Sequence, residues 1–283
     1  MNFKKFNVKT LSALALSSSL IFNSISPSAF AIKGFHIQEN TGSSFIHIQP
    51  NSPTQSQNPT PNPTQTNEQN HQKTVLSEEK LTGIKLLSEK LGLPYEEIKS
   101  RLQINENCHL IPLLNFEEHK NCLIDVFAKA NPQYMSYYLD GKLRTSEKAE
   151  QIYFTNSLHR MWDKDLPRSL NFIIDCDNAS TGRIAVGPLY NSGAVNAEIG
   201  YAIKESHSGK GIVSASVKTL LNFLQYLLDK GIYKFEKVRA TAKEDNIASN
   251  KILLKNHFLK TPEMINDGYG PENEYFYYFE KKE

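Results

Sequence analysis

The hydrophobic pattern changes period within residues 197–230. Ile199, Tyr201 and Ile203 alternate with polar or small residues, as in a half-buried strand, and the alternation breaks at Lys204 into a Ser/His/Gly turn. From Ile212 onward, Val213, Val217, Leu220, Leu221, Leu224 and Leu228 recur at three- and four-residue steps, which predicts a long amphipathic helix with one face on a sheet. Around this strand, glycine loop and helix, the same reading predicts a first strand over 109–113 and amphipathic segments over 116–130 and 146–162. A hairpin over 171–175 and 183–187 follows, with Asn178, Ser180 and Gly182 separating its strands, and then a turn at Asn191, Ser192 and Gly193. A strand over 237–242, a short helix over 246–256 and an aromatic closing strand over 274–280 complete the order. Strands and helices in this sequence predict a mixed α/β (α+β) sheet, mostly antiparallel and flanked by helices.

The amino-terminal third has other patterns. Residues 1–31 have the form of a secretory signal peptide: Lys4, Lys5 and Lys9 are basic, residues 11–22 are mostly apolar, and Ala29, Phe30 and Ala31 have A-x-A form. Its apolar run is interrupted by Ser17, Ser18 and Ser19 and falls short of the ~20 residues a bilayer span needs, so no stable membrane span is expected after cleavage. The expected location is therefore outside the cytoplasm: periplasmic, extracellular or delivered to a host cell. Between Asn51 and Gln72 there is no apolar side chain, and residues 32–73 are read as a disordered linker. Residues 74–105 return to a helical period, with Leu76, Leu81, Ile84, Leu87 and Leu91, a Gly92-Leu93-Pro94 break, then Ile98 and Leu102. The helical hairpin has a helix-turn-helix rhythm. Glu96 and Glu97 would repel phosphates as Lys99 and Arg101 attract them, so packing or partner contact is expected rather than nucleic-acid reading. The remainder, 106–283, is long enough for one core.

Composition narrows little further. The 283 residues carry a net charge of +2, with 39% apolar and 22% charged residues, which favours no polyanionic partner. Cys108, Cys122 and Cys176 are scattered in apolar stretches and share no ligand spacing with His109, His119 or His159, so no metal is expected. Buried thiols are the default, export allows one disulfide, and the sequence does not choose its pair.

The loop carries the candidate chemistry. A glycine turn entering a helix can present backbone N–H groups to phosphate oxygens. The segment SHSGKG fits neither a P-loop nor a dinucleotide fingerprint, since Ser214 stands where a third glycine would be. It resembles the pyrophosphate loop of the GCN5-related N-acetyltransferases (GNAT), Q/R-x-x-G-x-G/A before a helix: Gly209 and Gly211 match and Ser206 departs. AEIGYAI, this loop and ATAKEDNIASNKILLKNHF together resemble the branch that includes the ribosomal-protein alanine N-acetyltransferases, with Asn246 and Ser249 matching its N-x-x-S.

The resemblance implies acetyl-coenzyme A as co-substrate and a primary amine as acceptor, either a protein N-terminus, a lysine or a small amine. Backbone amides of Ser208, Gly209, Lys210, Gly211 and Ile212 would bind the pyrophosphate. Tyr201, Ala202 and Ile203 would pair with the pantetheine arm, which requires the central strand to splay from residues 239–241. Glu198 would accept the amine proton, and Ser249, or less directly Tyr201, would return one to the thiolate. Asn246 would help hold the cofactor, or simply cap the short helix. His207 is read as a hydrogen-bonding or solvent-facing loop residue. A domain of this shape that no longer catalyses and serves as an interaction or ligand-binding module, an exported effector among them, is the alternative. A DNA-binding hairpin ranks last.

Overall fold

The computed structural model describes residues 76–135, 142–189, 197–266 and 270–280. The expected signal peptide and linker, and the turn at Asn191, Ser192 and Gly193, lie outside them. Two helices come first, α1 (Glu78–Leu91) and α2 (Tyr95–Arg101). Ser77 caps α1 by accepting from the Lys80 amide, and Gly92 ends it in a left-handed conformation at φ 65°, so the break read at Gly92-Leu93-Pro94 is a helix stop followed by a proline-led restart.

After β1 (Cys108–Pro112) come α3 (Glu117–Phe127), the short α4 (Pro132–Met135), and α5 (Ser146–Ala149), which runs through a π-helical stretch (Glu150–Thr155) into α6 (Asn156–Trp162). Strands β2 (Leu170–Cys176) and β3 (Ala179–Gly187) form the hairpin, β4 (Ala197–Ile203) the central strand and α7 (Ile212–Asp229) the long helix. The chain closes with β5 (Lys237–Lys243), α8 (Ile247–Lys255), β6 (Leu259–Asn266) and β7 (Pro271–Tyr278).

These strands make one seven-stranded sheet in the order β1-β2-β3-β4-β5-β7-β6, antiparallel everywhere except between β4 and β5. The β2–β3 turn is tighter than the pattern suggested. Asp177 and Asn178 both take positive φ (53° and 63°), the conformation of a two-residue hairpin turn, so Ser180 and Gly182 belong to β3. Gly182 is required there by close approach, since a Cβ would lie 2.6 Å from the Ala202 carbonyl oxygen. Strand β6 had no signature in the sequence because it is an edge strand exposed on both faces, with Pro262 inside it, and shows no alternation.

Residues of the hairpin and of the sheet share one core: Ile84, Leu87, Ile98 and Leu102 are fully buried with Leu110, Phe172, Leu220 and Leu224. Polar contacts fasten the hairpin as well. Lys80 Nζ lies 2.7 Å from Asp175 Oδ2 and donates to the Asn178 carbonyl at 2.8 Å, and Tyr226 of α7 donates to Glu97 at 2.6 Å. Cys108 and Cys176, cross-strand partners at one end of the β1–β2 pair, form a disulfide, while Cys122 is a buried free thiol whose pKa burial pushes up to about 12. Among the described residues no helix is long and apolar enough to cross a membrane, and no group of three or more His, Cys, Asp or Glu side chains is arranged to hold a metal ion.

Candidate active site

The glycine loop begins with a single helical turn (Glu205–His207) and ends at Gly211, which precedes α7. Gly209 and Gly211 have φ of 75° and 77°, a region that side-chain-bearing residues enter at a cost, and a Cβ at either would meet nothing within 4 Å. No side chain caps α7, so the amides of its first turn have no side-chain acceptor. They form, with the dipole of an 18-residue helix, a cradle for an anion. Beside it lies a cleft of about 440 Å³ lined by Lys210, Ile212 and His207 of the loop and helix start, by Asn105, Glu106, Asn107 and Cys108, and by Cys176 and Asp177, so that the Lys210 charge faces two carboxylates there. Burial, then the charges of Lys210 and Lys204, hold the His207 pKa below the usual imidazole value. Ser206, where the resembling pattern has a longer polar side chain, turns its hydroxyl to within 3.0 Å of His207 Nδ1.

Strands β4 and β5 pair only at Ala197↔Val238 and Glu198↔Arg239, then separate. From Ile199 to the end of β4 the backbone edge facing β5 has no strand beside it, and a Cβ on Gly200 would meet nothing within 4 Å. Tyr201, Ala202 and Ile203 all lie along this open edge. The Ile203 carbonyl is partly engaged, because Tyr134 of α4 donates to it at 2.8 Å.

Glu198 stands at the vertex of the split, with Oε2 2.9 Å from Arg239 Nη1, while Arg239 Nε lies 2.6 Å from Glu274 Oε1. All three side chains are under one-fifth exposed. Burial works against the Arg239 charge, but the hydrogen bond it donates to Glu274 and the charges of Glu198 and Glu274 outweigh it and raise the guanidinium pKa further. Glu198 is thus not the solitary carboxylate that a reading of β4 alone suggests. It belongs to a Glu–Arg–Glu row across β4, β5 and β7. Arg239 and Glu274 were not singled out from sequence, because only the strand register brings them opposite Glu198.

Across the open part of the split stands the first turn of α8. Asn246 caps it, accepting from the Ser249 amide at 3.1 Å, and the Ser249 hydroxyl lies 2.8 Å from that of Tyr201. Burial raises the Tyr201 pKa well above the usual phenol range despite the Ser249 hydrogen bond, so this pair is a neutral donor chain. The structure therefore brings Tyr201, Ser249 and Asn246 together, sets Glu198 three residues back from Tyr201 along β4 among charges, and leaves the glycine loop at the far end of the same strand.

Residues 116–259 match the acetyltransferase (GNAT) domain family. The ribosomal-protein-serine acetyltransferase of Escherichia coli strain K12 is 36% identical over 84 residues, which are 28% of this chain and 44% of that enzyme, so the alignment spans less than half of the relative's length. Among solved structures, a ribosomal L7/L12 alpha-N-protein acetyltransferase in complex with coenzyme A superposes with a TM-score of 0.50 at 20% identity, covering 63% of this chain and 97% of the other. At that identity the superposition speaks to the fold. With the split sheet, the glycine loop and a family match over half its length, the chain belongs to the GNAT acetyltransferases.

Proposed function

We propose that the protein is an N-acetyltransferase that moves an acetyl group from acetyl-coenzyme A to a primary amine. The observation that carries this reading is the opening between β4 and β5, with an uncapped glycine loop at one end and the Tyr201–Ser249 hydroxyl pair across it. The residues fit the co-substrate: the open space before Gly209 and Gly211 suits a pyrophosphate, and the unpaired β4 edge suits an amide-bearing arm that adds as a strand. Lys210, at the cleft beside the loop, adds a positive charge for the phosphates.

Transfer forms an amide bond as the thioester carbon–sulfur bond breaks, so the amine must lose a proton and the departing thiolate must gain one. Glu198 accepts the first, directly or through water, with Arg239 holding the carboxylate in place. The Ser249 hydroxyl supplies the second, and Tyr201, hydrogen-bonded to it, replaces that proton or steadies the hydroxyl. The amine acceptor is a protein N-terminus, a lysine or a small amine. The similarity to a ribosomal-protein-serine acetyltransferase makes peptides with an amino-terminal serine the first to test.

Export is part of the same proposal. The leader-like residues 1–31 support it, and so does the Cys108–Cys176 disulfide, a bond that persists in oxidising compartments. A second reading, a non-catalytic interaction module, draws on Ser206 and on the engagement of Glu198 by Arg239. Incubating the full chain with acetyl-coenzyme A and a panel of amino-terminal-serine peptides, lysine peptides and small amines, with release of free thiol as readout, separates the two. Thiol release that depends on one acceptor class supports the enzyme; none from a folded, acetyl-coenzyme A-binding chain supports the module.

A further inference from the structure

Two consecutive residues of α8 bond to opposite sides of the split. Ser249 meets Tyr201 of β4, and Asn250 reaches β5 and β7. The Asn250 amide is saturated. Its Nδ2 donates to the carbonyls of Lys243 at 2.9 Å and Asn246 at 2.7 Å, with a longer approach to Glu244 at 3.3 Å. Its Oδ1 accepts from Tyr275 Oη at 2.6 Å and Asn273 Nδ2 at 3.0 Å. Donors on one side and carbonyls on the other allow only one orientation of the amide. Its two partners on β7 are themselves fixed, Tyr275 at 1% and Asn273 at 3% exposure. Where neighbouring strands would ordinarily be held by their own ladder, β4 and the β5–β7 pair are instead linked here through α8.

We propose that Asn250 is a positioning residue for acetyl transfer: by fastening the first turn of α8 to β5 and β7, it sets where the Ser249 hydroxyl stands over the gap. The proposal rests on the reading of Ser249 as proton donor. Asn250 itself touches no reacting atom. Its carbonyl partners, Lys243 at the end of β5 and Asn246 at the cap of α8, bracket the connection between the two elements, so its loss frees that connection and the helix start together. A shift of about 1 Å in a catalytic group can cost ~10²-fold in rate.

The test is a cycle of Asn250→Ala, Ser249→Ala and the double variant in the full chain, together with Tyr275→Phe, which removes one strut and keeps the ring. Asn250→Ala is expected to lower kcat about ten- to a hundredfold with the KM for acetyl-coenzyme A within about twofold, and the double variant to be no slower than Ser249→Ala alone. Tyr275→Phe should show a smaller loss with the same coupling. Losses that multiply in the double variant, or a kcat unchanged in both Asn250→Ala and Tyr275→Phe, would overturn the proposal. Amide hydrogen exchange gives a readout free of the enzymatic reading: the Ser249 and Asn250 amides should exchange at least about tenfold faster in Asn250→Ala while those of α7 stay unchanged. Unaltered exchange in α8 overturns the positioning role even if the wild-type chain turns over nothing. Faster exchange in a chain without turnover would keep the fastening of α8 by Asn250 but remove the acetyltransferase reading, and with it a positioning role in acetyl transfer.

Discussion

At Glu198, taking a proton from an amine draws charge out of the 2.9 Å pair with Arg239, which Glu274 then compensates from the other side. A row of two carboxylates around one guanidinium can pass through that state without leaving a buried cation unpaired. Glu198→Gln keeps the shape and removes the proton acceptor, so kcat should fall about 10²- to 10⁴-fold while calorimetric affinity for acetyl-coenzyme A stays within a few-fold. His119 gives a prediction on stability. Burial, outweighing the Glu118 charge, pushes its pKa from 6.5 down to about 4, and the imidazole accepts from the Leu114 amide as a neutral ring. Since the unfolded chain binds this proton more readily, stability is complete above about pH 6.5 and is lost as pH falls toward 4, by about 3 kcal/mol. Urea unfolding at pH 7 and pH 4.5 should show a smaller pH dependence in His119→Gln than in wild type.

At the scale of elements, what could be read from the sequence depended on whether an element carries a periodic face. Helix α7 announced itself through Val217, Leu220, Leu221 and Leu224, all buried, and β4 through Ile199 and Ile203. The cap at Asn246 was legible because capping is local. Strand β6 was not, having no buried face, and neither was the Glu198–Arg239–Glu274 row, which depends on a register between strands far apart in sequence. Asn250 was invisible for the same reason, since its partners on β7 lie more than twenty residues away. The hairpin was read as helical, but its anchoring charge was not: Lys80 and Asp175 are 5% and 1% exposed and lie 2.7 Å apart. Burial raises the Asp175 pKa and Lys80 opposes that rise. Lys80→Met should therefore destabilise the chain by about 3–5 kcal/mol in urea titration, and adding Asp175→Leu should recover much of the loss. Little recovery would mean that the pair stabilises the docking beyond mutual neutralisation.

On the scale of the whole molecule, α1 and α2 complete the same core as the sheet, so binding and activity are properties of a chain that includes them. The disulfide ties the first strand to the second across a sequence separation of 68 residues. Closing a loop of that length stabilises by up to about 4 kcal/mol in the chain-entropy description. Cys108→Ser with Cys176→Ser should lower the thermal midpoint by several degrees, and a reductant should have the same effect on the wild type but none on the double variant.

The most direct test of the central claim is a calorimetric titration of acetyl-coenzyme A into the full chain, with Gly209→Glu as control because it sets an anionic side chain in the open space before α7. Saturable binding at one site per chain, lost in a folded Gly209→Glu variant, is the expected result. Absence of binding to the folded wild-type chain, or binding that Gly209→Glu leaves intact, would contradict the loop as the phosphate cradle and with it the acetyltransferase reading.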